Sequence, residues 1–195
     1  MPTMELPIIK TPRLTLCVAG PEHAEACARF NRDNAEFLAP WEPSVVSTSG
    51  DPDTLRAVRE RAIAEARIGV GYSFALFPAD AQPGTPVLGW FNLSNVVRGV
   101  FLACYLGYKL DRRMQGHGYM TEAAQAGIEF AFETLGLHRI MANYMPHNQR
   151  SAALLRRLGF TVEGTAKNYL YIAGDWRDHV LASLTNPQPV IPSTT

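Results

Sequence analysis

The stretch Arg113-Met114-Gln115-Gly116-His117-Gly118-Tyr119-Met120-Thr121-Glu122-Ala123 decides how this chain folds. An apolar run ends just before it at Leu110 and an amphipathic run begins near Tyr119, so we expect a strand to give way to a helix here. Gly116 and Gly118 let the backbone approach a ligand closely, and a helix start presents unpaired N–H groups at the positive end of its dipole. The pattern favours a binding site for a phosphate or pyrophosphate, although a simple helix start with solvated arginines would have the same sequence pattern.

Two other phosphate-binding loops are excluded by spacing. A P-loop needs Lys and then Ser or Thr at a set distance after its glycines, and this stretch lacks them. A GxGxxG dinucleotide fingerprint needs a third glycine where Thr121 stands, and it usually opens its unit, whereas several strands precede this stretch.

Hydrophobic periodicity and turn residues predict the surrounding elements. Strands are expected at 14–18, 72–76, 86–94, 101–110, 140–145, 166–173 and 177–184, and helices at 21–34, 51–66, 119–135 and 151–158. The strand that ends at Leu110 reaches the strand near Arg139 through a helix, and so long a link is typical of parallel neighbours. We therefore predict an α/β (α+β) fold: a mixed, mostly antiparallel sheet of about seven strands, flanked by helices, with one parallel pair.

Length and composition bound the class of protein. The 195 residues are 47% apolar and 18% charged, which is the composition of a folded chain rather than a disordered one. Equal numbers of basic and acidic residues, 18 of each, argue against a general nucleic-acid binder. We expect a single domain over 1–195, with a core at about 12–185 and a Pro-containing tail at 186–195 that frays.

Cysteine, histidine and targeting patterns narrow the class further. Cys17, Cys27 and Cys104 are odd in number and widely spaced, so neither a disulfide framework nor a zinc site is expected. The five histidines show no HExxH spacing, so we expect no metal. The sequence shows no signal peptide and no apolar run of the ~20 residues that a membrane span needs, so we expect a cytoplasmic protein without a membrane partner.

Two motifs together resemble a known enzyme family. Arg-x-x-Gly-x-Gly at Arg113–Gly118, between a strand and a helix, resembles the acyl-coenzyme A pyrophosphate loop of the GNAT acetyltransferase superfamily. Asn-x-x-Ser at Asn148–Ser151, before the helix end Leu158–Phe160, resembles the branch that acetylates ribosomal-protein N-termini. The resemblance, to the RimJ-type alanine N-acetyltransferases in particular, runs from about Arg13 to Leu184. The longer strings that carry it are 95–99, 103–108, 141–147 and 175–180.

The resemblance implies the GNAT fold, with its parallel strand pair around the coenzyme site. It implies that an acetyl group passes from acetyl-coenzyme A to the α-amine of an alanine-starting protein, by direct attack in a ternary complex and without a metal. A small-subunit ribosomal protein is the implied acceptor, with contact to the ribosome or an assembling particle left open. The implied coenzyme contacts are Tyr108, Leu110, Arg113, Met114, Gln115, Gly116, His117, Gly118, Tyr119, Met120, Thr121, Asn148 and Ser151.

The resemblance also assigns catalytic roles. Ser151 is the implied acid for the leaving thiol, and Asn148 the implied partner of the pantetheine arm, although a helix N-cap and an ordinary first-turn serine have the same spacing. A backbone N–H at Tyr108–Leu110 is implied to stabilise the carbonyl oxygen. Asn143, a polar residue in an apolar strand, either orients the amine or a water, or is a satisfied core amide. Some relatives place a Glu base where Leu170 falls here, so we expect a water relay.

Four residues are assigned to the acceptor side. Trp41 and Glu42, in the loop Phe37–Pro43, would offer a rigid surface and an attraction for a cationic N-terminus, and a hydrophobic loop that covers the core is an equal interpretation. Asn95 and Tyr105 lie in the strings that carry the resemblance and are assigned to the same side.

Two other functions remain open at this point. A GNAT enzyme that acetylates a small amine or antibiotic would share the coenzyme motifs, and a ribosome-assembly protein could keep the fold without catalysis. Between residues 109 and 157 there are seven basic and four acidic side chains, a local surplus that fits the phosphates of coenzyme A or a solvated helix face.

Overall fold

The computed structural model describes residues 5–43, 49–82, 84–188 and 191. These residues form eight strands and four α-helices. The strands are β1 Ile8–Lys10, β2 Leu14–Val18, β3 Tyr72–Pro78, β4 Gly89–Val97, β5 Ala103–Leu110, β6 Arg139–Tyr144, β7 Thr161–Ile172 and β8 Asp175–Thr185. The helices are α1 Ala24–Leu38, α2 Pro52–Arg67, α3 Tyr119–Glu129 and α4 Gln149–Arg157.

All eight strands belong to one sheet, in the order β1-β2-β3-β4-β5-β6-β8-β7. Every neighbouring pair is antiparallel except β5 and β6, which are parallel and joined through α3. The predicted mixed sheet with one parallel pair is confirmed. The described chain has one strand more than the seven expected, because β1 has only three residues and two of them are exposed, which leaves no alternation to read.

The helices cover the two faces of the sheet. On one face, α3 and α4 pack over a core that includes Phe74, Phe91 and Leu106. On the other face, α1 and α2 pack over a second cluster that includes Phe77 and Trp90. In α3 the contact with the sheet is very close: a Cβ added at position 127, a glycine, would lie 2.2 Å from the Phe91 ring. This fit fixes the height of α3 above the sheet, and with it the position of the loop that precedes the helix.

Capping residues set the helix boundaries. Asp51 accepts hydrogen bonds from the backbone N–H groups of Asp53 and Thr54 and so begins α2, as its position before Pro52 predicts. The helix predicted to run to residue 135 leaves α geometry earlier: α3 is followed by a π-helical turn at Phe130–Thr134, and the chain then reverses at Gly136 with φ +63°.

The carboxyl-terminal segment starts out attached to the sheet. The backbone N–H of Asn186 donates to the carbonyl of His138 at 2.8 Å, and its side-chain amide donates to the carbonyl of Leu137 at 3.2 Å. Most of the tail predicted to fray, at 189–190 and 192–195, lies outside the described residues. Within the described ranges, no helix has both the length and the apolar character to cross a membrane.

Candidate active site

The centre of the sheet contains a gap. Pairing between β5 and β6 runs only from Ala103↔Arg139 to Leu106↔Ala142, whereas β5 stays paired with β4 as far as Leu110. The two parallel strands therefore diverge, and the edge of Gly107–Leu110 that faces β6 has no strand partner. Backbone N–H and C=O groups on such an edge are available to a bound ligand.

A cleft of about 1880 Å³ passes through this gap and reaches both faces of the sheet. On one face it is lined by the start of α3 and by α4, and on the other by α1, α2, the start of β3 and the middle of β4. Its volume exceeds that of an ordinary small-molecule pocket, roughly 300–1000 Å³. The cleft is therefore large enough to hold two substrates at once.

The loop before α3 has the geometry of an anion site. Gly116 and Gly118 have φ of +82° and +79°, and a side chain at 116 would point into open space. No side chain caps the amino terminus of α3, and the first residues of the helix, Tyr119–Thr121, line the cleft. The unpaired N–H groups and the helix dipole thus face the cleft, which fits a pyrophosphate.

Two cations also line this end of the cleft. Both belong to the local basic surplus between residues 109 and 157, but the sequence assigns neither of them individually to the coenzyme. Arg150 and Arg157, seven residues apart on α4, both line it. Arg150 donates to Gln115 Oε1 at 2.6 Å, and Arg157 donates to Thr121 Oγ1 at 3.3 Å. The i, i+7 spacing on an amphipathic helix was the signal that could have found them, because it places both side chains on one face.

Arg113, in contrast, is turned away from the cleft. Its guanidinium donates two hydrogen bonds to Asp111, at 2.7 and 3.0 Å, and lies 3.5 Å from Asp33. These bonds, helped by Asn34, lower the pKa of the buried Asp111 carboxyl to about 2. Arg113 therefore anchors the loop from behind. The side chains of Met114 and His117 do not line the cleft either, so their coenzyme contacts stay predictions.

Ser151 lies beside the gap and is bonded to a tyrosine. The hydroxyl oxygens of Ser151 and Tyr108 are 2.6 Å apart. Burial raises the pKa of the Tyr108 phenol to about 12. Asn148 accepts a hydrogen bond from the Ser151 backbone N–H at 3.1 Å, so it is the N-cap of α4 and lines the cleft as well. Asn148 can therefore be the helix N-cap and still contact the pantetheine arm.

Residues 13–161 match the family model described as an acetyltransferase (GNAT) domain. The chain belongs to the GNAT acetyltransferase family. It is 44% identical over 179 residues, 92% of this chain and 91% of the relative, to the [ribosomal protein uS5]-alanine N-acetyltransferase of Escherichia coli strain K12.

Solved structures give the same assignment. A ribosomal-protein-S5-alanine acetyltransferase from Vibrio fischeri superposes with a TM-score of 0.85 at 32% identity, covering 94% of this chain and all of that one. Mycobacterium smegmatis RimJ in complex with a CoA disulfide superposes with a TM-score of 0.82 at 28% identity, covering 95% of this chain and 90% of that one. The GNAT fold is confirmed, and the protein is an acyltransferase.

Trp41 and Glu42, which the sequence assigns to the acceptor side of this acetyltransferase, both line the cleft. The Trp41 ring lies 5.3 Å from that of His147, which closes the wall next to α4. Glu42 accepts from Lys109 Nζ at 2.9 Å, so its charge is already balanced. Attraction of a cationic amine by Glu42 therefore stays a prediction.

Three predicted acceptor-side and catalytic residues do not line the cleft. Tyr105 and Asn143 lie on the same sheet face, because Tyr105 is in register with Met141, two residues before Asn143. The Tyr105 side chain hydrogen-bonds Tyr169, whose pKa rises with burial and through that neighbour. Asn95 is exposed at a bulge in β4, with φ +50°. Their roles remain untested expectations.

The cleft also contains a buried cation that the sequence pattern does not reveal. Arg59 on α2 is 5% exposed and lines the cleft on the α1 and α2 face, and burial lowers its pKa. An arginine on a charged, amphipathic helix looks like a surface residue in a single sequence. Among the described residues, no group of three or more His, Cys, Asp or Glu is placed to hold a metal.

Proposed function

We propose that the protein transfers an acetyl group from acetyl-coenzyme A to the α-amine of an N-terminal alanine, on a small-subunit ribosomal protein. One observation carries the proposal: the cleft joins an uncapped helix start to the Tyr108–Ser151 pair beside the gap in the sheet. The 44% identity to an enzyme of that printed activity, over nearly the whole chain, supports the choice of acceptor.

The described residues fit the coenzyme. The start of α3, with Arg150 and Arg157, would hold its phosphates. The unpaired edge of Gly107–Leu110 would hold the amide-containing pantetheine arm, as a strand edge holds a peptide. Acetyl-coenzyme A supplies an activated thioester, and a neighbour of 28% identity carries the coenzyme as a disulfide.

We assign protonation of the leaving thiolate to Ser151, with Tyr108 as its hydrogen-bond partner. In the reaction a C–N bond forms, the C–S bond breaks, the sulfur takes one proton and the amine loses one. Ser151 can donate to the sulfur while accepting the Tyr108 hydrogen, because the two oxygens are 2.6 Å apart. With its pKa raised to about 12, the phenol stays protonated throughout the physiological range.

The amine needs little help from a base. An α-amine has a pKa of about 7.7–8.0, so a large fraction is neutral near physiological pH. Leu170, which stands where some relatives have a Glu, is 39% exposed on β7. We assign proton removal to a water relay, with Asn143 as a candidate to orient it, and stabilisation of the carbonyl oxygen to a backbone N–H of Tyr108–Leu110.

We place the reaction in the cytoplasm. Cys17, Cys27 and Cys104 are all free, which suits a reducing compartment where ribosomal proteins are made. The acceptor is recognised through its protein N-terminus, and the proposal needs no direct contact with nucleic acid. Contact with a ribosome or an assembling particle is compatible with the cleft opening on both faces of the sheet.

The test is an acceptor panel with the purified protein and acetyl-coenzyme A, followed by release of free thiol. The panel holds an alanine-starting peptide that contains a lysine, the same peptide with its α-amine blocked so that only the lysine side chain can react, spermidine and an aminoglycoside. We expect kcat/KM to be highest for the free alanine peptide and undetectable for the blocked peptide. A higher kcat/KM for either small amine would reject the proposal, and coenzyme binding without any turnover would indicate a binding protein.

A further inference from the structure

The end of the cleft next to α1 and α2 contains an arginine that has no ion-pair partner among the described residues. Arg59 is buried, yet none of the described carboxylates forms an ion pair with it. Its one hydrogen bond is long, from Nη1 to Ser73 Oγ at 3.4 Å. The guanidinium carbon lies 4.6 Å from the centroid of the Trp90 ring, which holds it in place.

Three buried polar atoms around this arginine lack hydrogen-bond partners within the described ranges. Arg59 Nε and Trp90 Nε1 are donors without an acceptor, and Asn92 Oδ1 is an acceptor without a donor. All three residues line the cleft. Buried polar atoms in folded proteins nearly always have a partner. None of the described residues supplies one here, and a ligand in the cleft that these side chains line could supply it.

A carboxylate is the partner that suits the two donors, whereas Asn92 Oδ1 needs a donor, which a backbone N–H of a bound peptide would supply. The carboxylate offers two oxygens with about four acceptor positions, matches the fork of an arginine, and its charge balances the guanidinium. Glu65 also lines the cleft and interacts electrostatically with Arg59, but the two side chains form no ion pair, and the Glu65 carboxylate is bonded to Arg61 at 2.7 Å instead.

The sheet register relates this cluster to the reacting centre. Ser73, Asn92 and Gly107 are in register on β3, β4 and β5, and Gly107 borders the gap. A Cβ at Gly107 would meet nothing within 4 Å, so the sheet is open at the end of this row that borders the gap. Strands are spaced ~4.8 Å apart, so Ser73 lies roughly 10 Å from Gly107, which an extended peptide crosses in about three residues.

We propose that Arg59, held by Trp90, binds the carboxylate of an acidic side chain at the second, third or fourth position of the acceptor peptide. The inference rests on the proposed function, because it assumes an acceptor whose amine lies at the gap. It adds a specificity-determining residue: the enzyme selects an alanine N-terminus that is followed closely by Asp or Glu.

The first test uses the unaltered enzyme and therefore does not depend on the folding of a variant. Alanine-starting peptides carry a single Glu at position two, three or four, each with a Gln twin. We expect one Glu peptide to exceed its Gln twin in kcat/KM by roughly 10- to 100-fold, the range of a charge-assisted hydrogen bond. Equal values for all three pairs would overturn the inference and leave the proposed function standing, whereas no reaction with any alanine peptide would overturn both.

The second test removes the arginine. In Arg59→Gln the preferred Glu peptide and its Gln twin should react alike, while coenzyme A binds with unchanged Kd. Arg56→Gln, one turn earlier on α2 and exposed, is the matched control and should keep the full Glu preference. A Glu preference that survives in a folded Arg59→Gln enzyme would overturn the assignment. Should this variant not fold, the peptide pairs with the unaltered enzyme decide.

Discussion

At the scale of single residues, the 2.6 Å contact between Tyr108 and Ser151 joins positions 43 residues apart in the chain. Ser151 could be singled out from the sequence because it belongs to a motif of fixed local spacing. Its bond to Tyr108 could not, since it depends on how β5 and α4 are placed across the gap. Arg59 was missed for the same reason, because burial of a helix residue is set by the elements packed on it.

Removing either hydroxyl should slow turnover without weakening coenzyme binding. We expect Ser151→Ala and Tyr108→Phe each to lower kcat by roughly 100-fold or more, as for loss of an acid. The Kd for coenzyme A should stay within about twofold, since neither hydroxyl is assigned to the phosphates. Tyr171→Phe, an exposed tyrosine on β7, is the control and should behave as the unaltered enzyme. Full activity in both variants would remove the pair from the mechanism.

The same pair predicts the shape of the pH profile. An acid works only below its pKa, and the Tyr108 pKa is raised to about 12. We therefore expect kcat/KM for an alanine peptide to rise as the acceptor amine loses its proton near pH ~8, and to stay level to about pH 10. A decline between those values in a protein that is still folded would assign the acid to a group of lower pKa.

At the scale of elements, the strand–helix junction before α3 was readable because glycine spacing and helix periodicity are local properties. The parallel pair was also predictable, from the length of the connection between β5 and β6. The divergence of these strands after Leu106 was not, because register is decided by side chains from β4, β8 and the helices together. The π-helical turn after α3 was missed for a similar reason.

The loop before α3 can be tested with two glycines of like conformation. Gly116 and Gly99 have φ of +82° and +69°, and a Cβ at either would meet nothing within 4 Å. Alanine at each should therefore cost a similar ~1–2 kcal/mol of strain. Only Gly116→Ala should raise the Kd for coenzyme A, by about fivefold or more, because relief of strain moves the N–H groups that face the phosphates. Equal Kd values for the two variants would argue against this loop as the phosphate site.

At the scale of the whole molecule, the sheet is continuous but its middle is narrow. Only four register pairs join β5 to β6, compared with six between β6 and β8. The coenzyme would contact α3 on one side of this junction and α4 on the other. The overall charge of zero gives no sign of a phosphate site. The local basic surplus forms such a site only when the fold brings Arg150 and Arg157 beside α3.

Coenzyme A should consequently stabilise the folded chain as a whole. At a free concentration of about 100 times its Kd, the expected gain is about 2.7 kcal/mol. For a chain of this size, that corresponds to a rise in Tm of roughly 5–10 °C. A thermal unfolding scan measures it, and Gly116→Ala at the same coenzyme concentration should show a smaller rise. An unchanged Tm at saturation would mean that the coenzyme does not bind the folded state as proposed.

The passage of the cleft through the sheet has a consequence for substrate traffic. In the proposed function the coenzyme phosphates would lie on the α3 and α4 face, and the acceptor would lie on the α1 and α2 face. Each substrate would therefore have its own entrance, and neither would block the other's way in or out. Spent coenzyme can leave while the acetylated chain end is still in place, and a fresh coenzyme can wait for the next protein to arrive.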